Sequence, residues 1–148
     1  MKTEETTLEI NLTALEKNIH YLKNRLKPTT LFLAVVKASS YGNNSVAIAS
    51  HLQKKGLVNY FAVAYTSEGI ALRKAGVTLP ILVLHPQPIN FNDIVKYNLE
   101  PTLYSQRIAQ LFLDYAKIQQ LANYPVHLKC NTGLNRLGFD LSEIEETL

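Results

Sequence analysis

Apolar residues along this chain alternate between two patterns, short continuous runs and helical stripes. In residues 8–26 apolar side chains recur at three- and four-residue spacing, which predicts an amphipathic helix that Asn11 or Thr13 could cap. The run LFLAVVK that follows is short and continuous, as in a buried strand. The alternation then repeats. Further strands are predicted at YFAVAY, LPILVLH, EPTLY and YPVHLKC, and further helices at SVAIASHLQKKG, TSEGIALRKAG, INFNDIVKYN, SQRIAQLFLDYAKIQQLA and LSEIEETL.

Glycine and short polar residues mark the predicted helix ends. Gly56 and Gly76 follow two of the helical stripes and are expected to stop them. Thr66 or Ser67 is expected to cap the helix that Gly76 closes, with Glu68 in its first turn. These signals divide the chain into compact β/α units.

Five β/α alternations with nearly continuous apolar strands predict a parallel sheet with helices outside it. Two architectures compete. A doubly wound open sheet is complete at 148 residues, whereas an eight-stranded β/α barrel needs about 250 residues, so length alone favours the open sheet. Neither a G-x-G-x-x-G motif nor a Walker A loop is present. The usual nucleotide-binding signatures therefore give no support to the open sheet.

The composition of the chain argues against several classes of function. The net charge of +3 comes from 15 basic and 12 acidic residues spread along the chain, which argues against nucleic-acid binding. Cys130 is the only cysteine, so no intramolecular disulfide is possible, and no apolar stretch could span a membrane or serve as a signal peptide. We expect a cytoplasmic protein. His20 and His51 lack acidic or cysteine partners at ligand spacing, so no metal site is predicted.

Lys37 is the first candidate for chemistry. It ends the first predicted strand, the position at which both competing architectures place their functional groups. A lysine that loses its charge in a dry pocket, or beside another cation, becomes a nucleophile toward aldehydes. A solvated lysine that merely terminates a strand is the alternative. Tyr41 and Gly42 follow closely and could bring a phenol and a bare backbone toward an anion.

The segment KCNTGLNR carries a second cluster of polar groups. Lys129 and His127 share one face of the fifth predicted strand. A cationic lysine directed into a barrel is costly unless it is paired, and Arg136, the nearest cation in sequence, would repel it. A surface lysine with a loop arginine is the alternative.

These motifs resemble those of the pyridoxal-phosphate-dependent alanine racemases. The segment AVVKASSYG is similar to the stretch that holds the cofactor lysine of that family, and VHLKCNTGLNRLGF is similar to a second signature. LEINLTALEKNI, FAVAYTSEGIALRKAG and LPILVLHPQP extend the likeness over nearly the whole chain. The resemblance implies a partial (β/α)8 barrel of the TIM type. Residues 1–148 would be the N-terminal portion of the cofactor-binding barrel domain, about the first five β/α units, with the C-terminal β domain absent.

The resemblance also assigns roles to individual residues. Lys37 matches the lysine that forms the internal aldimine and removes the α-proton of the D-enantiomer, and Tyr41 matches a tyrosine that contacts the cofactor phosphate. Arg136 matches an arginine that donates to the phenolic oxygen of the cofactor. Lys129 matches a lysine that is often carbamylated and holds this arginine in place. Asn131 departs from the aspartate usual in the family, which removes a negative charge near the site.

The function implied by the resemblance is interconversion of L-alanine and D-alanine for peptidoglycan precursors. The opposing acid/base of the family is a tyrosine from the C-terminal domain of the partner subunit, so the intact enzyme would be a homodimer and this fragment alone would be inactive. Some relatives of this type are fused behind a muramoyl-tripeptide:D-alanyl-D-alanine ligase domain. Two alternatives remain open: a pyridoxal-phosphate-binding homeostasis barrel, and a truncated scaffold without turnover.

Overall fold

The computed structural model describes residues 6–140, in which helices alternate with short parallel strands. The predicted helix LSEIEETL lies outside the described residues. The strands are β1 (Leu33–Val35), β2 (Tyr60–Val63), β3 (Ile81–Val83), β4 (Glu100–Leu103) and β5 (His127–Leu128). The helical segments are α1 (Leu12–Lys23), α2 (Lys37–Tyr41), α3 (Ser45–Lys54), α4 (Thr66–Lys74), a 3₁₀ turn (Pro88–Asn90), α5 (Phe91–Lys96) and α6 (Gln106–Ile118).

The strand order decides between the two architectures. The five strands lie in the order β1-β2-β3-β4-β5, and every neighbouring pair is parallel. A doubly wound sheet reverses its strand order at a switch point, and no reversal occurs among the described strands. Sequential parallel order is the wall of a β/α barrel. The partial barrel is therefore confirmed, and the open sheet favoured by length is wrong.

The helices cover one face of this wall. Right-handed crossovers between successive neighbouring strands place every connecting helix on the same side. The core forms between helices and sheet around Phe61, Val63, Leu72, Ile81 and Ile94, all of which are buried. The opposite face is more open at the first edge strand, because Leu33 and Val35 of β1 are 40% and 47% exposed.

The local signals for the helix ends are mostly confirmed. Asn11 caps α1 by accepting a hydrogen bond from the N–H of Ala14. Gly56 and Gly76 have positive φ angles of 63° and 85°, which explains why glycine follows α3 and α4. The predicted cap of α4 is wrong. The cap is Tyr65, and Thr66 is the first helical residue.

Over residues 6–140, none of the helices has the length and apolar character needed to cross a membrane.

Candidate active site

The carboxyl ends of the strands surround a cavity of about 290 Å³. Three of its lining residues are cationic, Lys37 after β1, Lys129 after β5 and Arg136 in the loop beyond. None of the described residues that line it is acidic. The remaining lining residues are Ala64, Tyr65, Leu84, His85 and Leu137. A cavity with three cations and no carboxylate is suited to an anionic ligand.

Lys37 begins a segment with unusual backbone geometry. In α2 the φ angles of Ala38, Ser39, Ser40 and Tyr41 are 51°, 53°, 52° and 55°, which is the left-handed region. Four consecutive non-glycine residues in this region cost roughly 1–2 kcal/mol each. Strain of this kind persists only where surrounding contacts impose it, and it concentrates at functional sites. The sequence indicated a turn here but gave no sign of its handedness.

Tyr41 is not among the residues that line the Lys37 cavity. Its side chain is 72% exposed and lines a separate apolar groove of about 300 Å³ between α1, β1 and α3. Ser40, which lines the same groove, is buried and its hydroxyl has no hydrogen-bond partner among the described residues. The structure thus brings together three of the four residues predicted for the site.

Glu68 connects the start of α2 to the end of β2. Its Oε1 accepts a hydrogen bond from the N–H of Ala38 at 2.6 Å, and its Oε2 accepts from the N–H groups of Ala64 at 2.7 Å and Tyr65 at 3.1 Å. The sequence predicted only that Glu68 lies in the first turn of a helix. The bond to Ala38 joins residues that are far apart in sequence, and no local pattern could have predicted it.

The loop that carries Arg136 is held by Asn131. The side-chain amide of Asn131 donates to Asn135 and Asp140, and its oxygen accepts from the N–H groups of Gly133 and Asn135. The residue that departs from the family pattern therefore organises the loop through hydrogen bonds within it.

The loop closes against the end of β5. The N–H of Phe139 donates to Lys129 O and the N–H of Asn131 donates to Phe139 O, both at 2.8 Å. Phe139 is fully buried. Gly138 has φ 128°, and a Cβ there would lie 2.7 Å from Asn131 N and 2.8 Å from the carbonyl carbon of Cys130. Only glycine allows this close approach, which fixes the two ends of the Arg136 loop.

One wall of the cavity is aromatic. The ring of His85 stacks on Tyr104, with centroids 5.1 Å apart, and meets Tyr65 edge to face at 5.8 Å. Burial raises the pKa of Tyr104 above its ordinary value. No role was predicted from the sequence for His85, Tyr65 or Tyr104. Tyr65 and His85 follow β2 and β3 in the same way that Lys37 follows β1, so the strand-end rule that selected Lys37 could also have selected them.

A polar cluster lies on the face of β2, β4 and β5 that is turned away from the helices. His127 Nε2 lies 3.0 Å from Tyr60 Oη and 2.9 Å from Glu100 Oε2. Thr102, which pairs with His127 in the sheet, is buried, and its hydroxyl is without a partner among the described residues. Across residues 6–140, no three or more histidine, cysteine, aspartate or glutamate side chains are placed to hold a metal ion.

A family model and individual relatives were found for this chain, and they agree with one another. Residues 10–148 match the family described as "Alanine racemase, N-terminal domain". The chain is 39% identical over 141 residues to an alanine racemase of Synechocystis sp., a match that covers 93% of this chain and 37% of that one. It is 36% identical over 138 residues to an amino-acid racemase of Enterococcus faecalis, covering 91% of this chain and 18% of the relative.

A solved structure gives the same result. The alanine racemase of Clostridium difficile 630 in complex with cycloserine superposes with a TM-score of 0.89 at 38% identity, over 99% of this chain and 42% of that one. The chain therefore spans less than half the length of each of these relatives.

Proposed function

Because this chain belongs to the family of alanine racemase N-terminal domains, we propose that it is the N-terminal portion of the barrel domain of a pyridoxal-phosphate-dependent enzyme that interconverts L-alanine and D-alanine. The observation that supports this most strongly is the cavity that Lys37, Lys129 and Arg136 line together. In barrel enzymes, residues at the carboxyl ends of the strands carry the chemistry.

The residues of the cavity fit this cofactor. Lys37 would hold it covalently through its aldehyde carbon, and Arg136 would donate to its phenolic oxygen. The cationic lining suits its anionic groups, and the ring of His85 offers a flat wall. Tyr41, which lines the neighbouring groove, is proposed to contact the cofactor phosphate. When bound, pyridoxal phosphate supplies an electron-withdrawing ring that weakens the α-carbon–hydrogen bond of an attached amino acid.

Racemisation requires proton transfer on both faces of the α-carbon. Lys37 Nζ takes the α-proton on one face, and a second group returns a proton on the other. In the family that this chain resembles, the second group is a tyrosine of the partner subunit, so the active form would be a homodimer. Tyr65 and His85 line the same cavity, and either could supply a second acid/base within this chain.

Lys129 is proposed to be carbamylated. Its uncharged amine would attack the carbon of carbon dioxide and release one proton, which gives a carbamate anion beside the guanidinium of Arg136. Among residues 6–140, none of those that line the cavity is acidic. Addition of ¹³C-bicarbonate to the full-length protein should give a carbamate carbon signal that Lys129→Gln abolishes. The same signal in the Lys129→Gln protein would remove Lys129 from this role.

The experiment that tests the function uses the full-length protein that contains this chain. Borohydride reduction followed by mass spectrometry should locate the cofactor on Lys37, and Lys37→Ala should lose both this adduct and the formation of D-alanine. Lys54→Ala, at the exposed end of α3, is the matched control and should behave like the parent. An adduct that persists in Lys37→Ala would reject Lys37.

The alternatives give different outcomes in the same experiment. An adduct on Lys37 with no exchange of the α-proton of alanine in deuterated water would indicate a cofactor-homeostasis barrel, and no adduct at all would indicate a scaffold. The isolated 148-residue chain should show no racemisation with added cofactor. Turnover by that chain, lost in Tyr65→Phe or in His85→Asn, would show that the second acid/base lies within it. D-Alanine made by the whole enzyme would feed peptidoglycan precursors in the cytoplasm.

A further inference from the structure

Glu68 bonds to backbone on both sides of the Lys37 cavity. One oxygen accepts from Ala38, the residue after Lys37, and the other accepts from Ala64 and Tyr65, which line the cavity. All three donors are backbone N–H groups at or below 3.1 Å. Hydrogen bonds to a carboxylate are about twice as strong as neutral ones.

Helix capping explains only part of this arrangement. A carboxylate in the first turn of a helix interacts favourably with the helix dipole and accepts from the backbone just before the helix, which accounts for the bonds to Ala64 and Tyr65. The bond to Ala38 runs from α4 to the residue that follows Lys37 and adds nothing to the cap. It holds the first residue of the left-handed segment.

The left-handed segment needs such a contact. Bonds within it, from Ser40 N to Val36 O and from Gly42 N to Ala38 O, close the turn but leave the N–H of Ala38 for another acceptor. Glu68 supplies that acceptor at 2.6 Å. The peptide that follows Lys37 is therefore fixed by a charged group, and the direction in which the Lys37 side chain leaves β1 is fixed with it.

We propose that Glu68 is a positioning residue for Lys37, acting through the N–H of Ala38. It contacts no reacting atom. This inference rests on the proposed function, because it concerns the reaction that Lys37 carries out.

The test compares two substitutions in the full-length protein loaded with cofactor. Glu68→Gln keeps the size but loses the charge and one accepting oxygen. Glu68→Asp keeps the first-turn charge that the helix dipole favours, but its carboxylate is one methylene shorter, so we expect it to lose the bond to Ala38. Both should lower kcat roughly 10- to 100-fold with a nearly unchanged KM for alanine, since small displacements of a reacting group have effects of this size. Glu68→Asp should melt close to the parent.

Asp93→Asn is the matched control, because it removes a first-turn carboxylate from α5, away from the cavity. It should keep the parental kcat. A parental kcat in Glu68→Asp, or a loss that equals the unfolded fraction measured by circular dichroism, would overturn the inference. Borohydride trapping on Lys37 in the parent tests the proposed function separately, so a parent that traps and racemises while Glu68→Asp is unaffected disproves only the role of Glu68.

Discussion

The two ends of the sheet differ in how their hydrogen bonds are used. At the amino ends of the strands, Arg73 donates to the carbonyls of Val77, Leu79, Tyr97 and Asn98 at 2.6–3.0 Å. At the carboxyl ends, three cations share one cavity, and the backbone after the first of them is left-handed. At the amino ends, backbone carbonyls are hydrogen-bonded to side chains of the same chain. At the carboxyl ends, the cationic side chains face a cavity and the backbone is strained.

This difference shows how the chain separates stability from chemistry. Gln53 and Tyr124 reinforce the amino ends, Gln53 by accepting from the N–H groups of Thr78 and Leu79 and Tyr124 by donating from its hydroxyl to Leu99 O. Bonds of this kind offset strain elsewhere, because a left-handed segment survives only in a well-fixed surrounding. Substitutions at the amino ends should therefore lower stability with little effect on catalysis, and substitutions at the carboxyl ends should do the reverse.

Arg73 should give the largest effect. Arg73→Ala removes the donor for four carbonyls and should lower the free energy of unfolding by about 3–5 kcal/mol, since hydrogen bonds to charged groups are worth roughly 1.5–3 kcal/mol each and are not additive. Urea denaturation measures this, and kcat of the folded protein should stay parental. Lys74→Ala, its exposed neighbour, is the control and should change little. Equal effects of the two variants would show that the four bonds contribute nothing.

Gly138 should give the next effect, at the other end of the sheet. Gly138→Ala places a Cβ against the backbone at Asn131 and Cys130 and should cost about 1–3 kcal/mol of strain. Because Arg136 lies in the loop that this contact closes, kcat of the protein that remains folded should also fall. Gly133→Ala is the control, with φ 119° but open space around its Cβ. If both variants lose the same activity, backbone strain rather than the close approach is the cause.

Tyr124 gives a pH-dependent effect at the amino ends. Burial, with smaller contributions from Glu100 and Tyr115, raises its pKa from 10.0 to about 12. The folded chain therefore keeps the phenolic proton above the pH at which the unfolded chain loses it. This contribution to stability is full below pH 10 and is lost as the pH rises through about 12. Tyr124→Phe should cost about 1 kcal/mol at neutral pH. The difference in urea midpoint between parent and variant should shrink in alkali, and a constant difference would contradict this.

Ser39 should give the smallest effect and the opposite sign. Ser39→Gly relieves left-handed strain of roughly 1–2 kcal/mol but increases the freedom of the unfolded chain, so we expect a net gain of about 0.5–1 kcal/mol. A looser segment next to Lys37 should lower kcat several-fold. Thermal melting and kinetics of the full-length protein measure the two effects. A destabilised variant would mean that Ser39 is not strained.

Much of the fold follows from local sequence signals. The order of strands and helices and the stops at Gly56 and Gly76 needed only periodicity and the backbone preferences of glycine. The choice of architecture did not follow from length, because length does not encode which strands are neighbours. The prediction for the cap of α4 was wrong. Thr66 and Ser67 both have better capping side chains than Tyr65, but tertiary packing outweighed that preference.

The site was predicted less completely. Lys37, Lys129 and Arg136 line one cavity, as the resemblance implied, but Tyr41 lies elsewhere because α2 turns with left-handed geometry. Neither Ala nor Ser favours left-handed geometry, so the residues of this segment give no sequence signal for it. The bond from Glu68 to Ala38 joins α4 to α2, two segments that are distant in sequence, and single-sequence patterns do not contain such contacts.

The sequential strand order also bears on how the molecule reaches its native state. Each ladder joins a strand only to the next one in the chain, so forming it closes a single strand-helix-strand connection. Closing short connections has a small entropic barrier, and topologies built from them fold faster than those that pair distant segments. A chain emerging from the ribosome can therefore add one unit at a time to an edge that already exists, in the order of its synthesis.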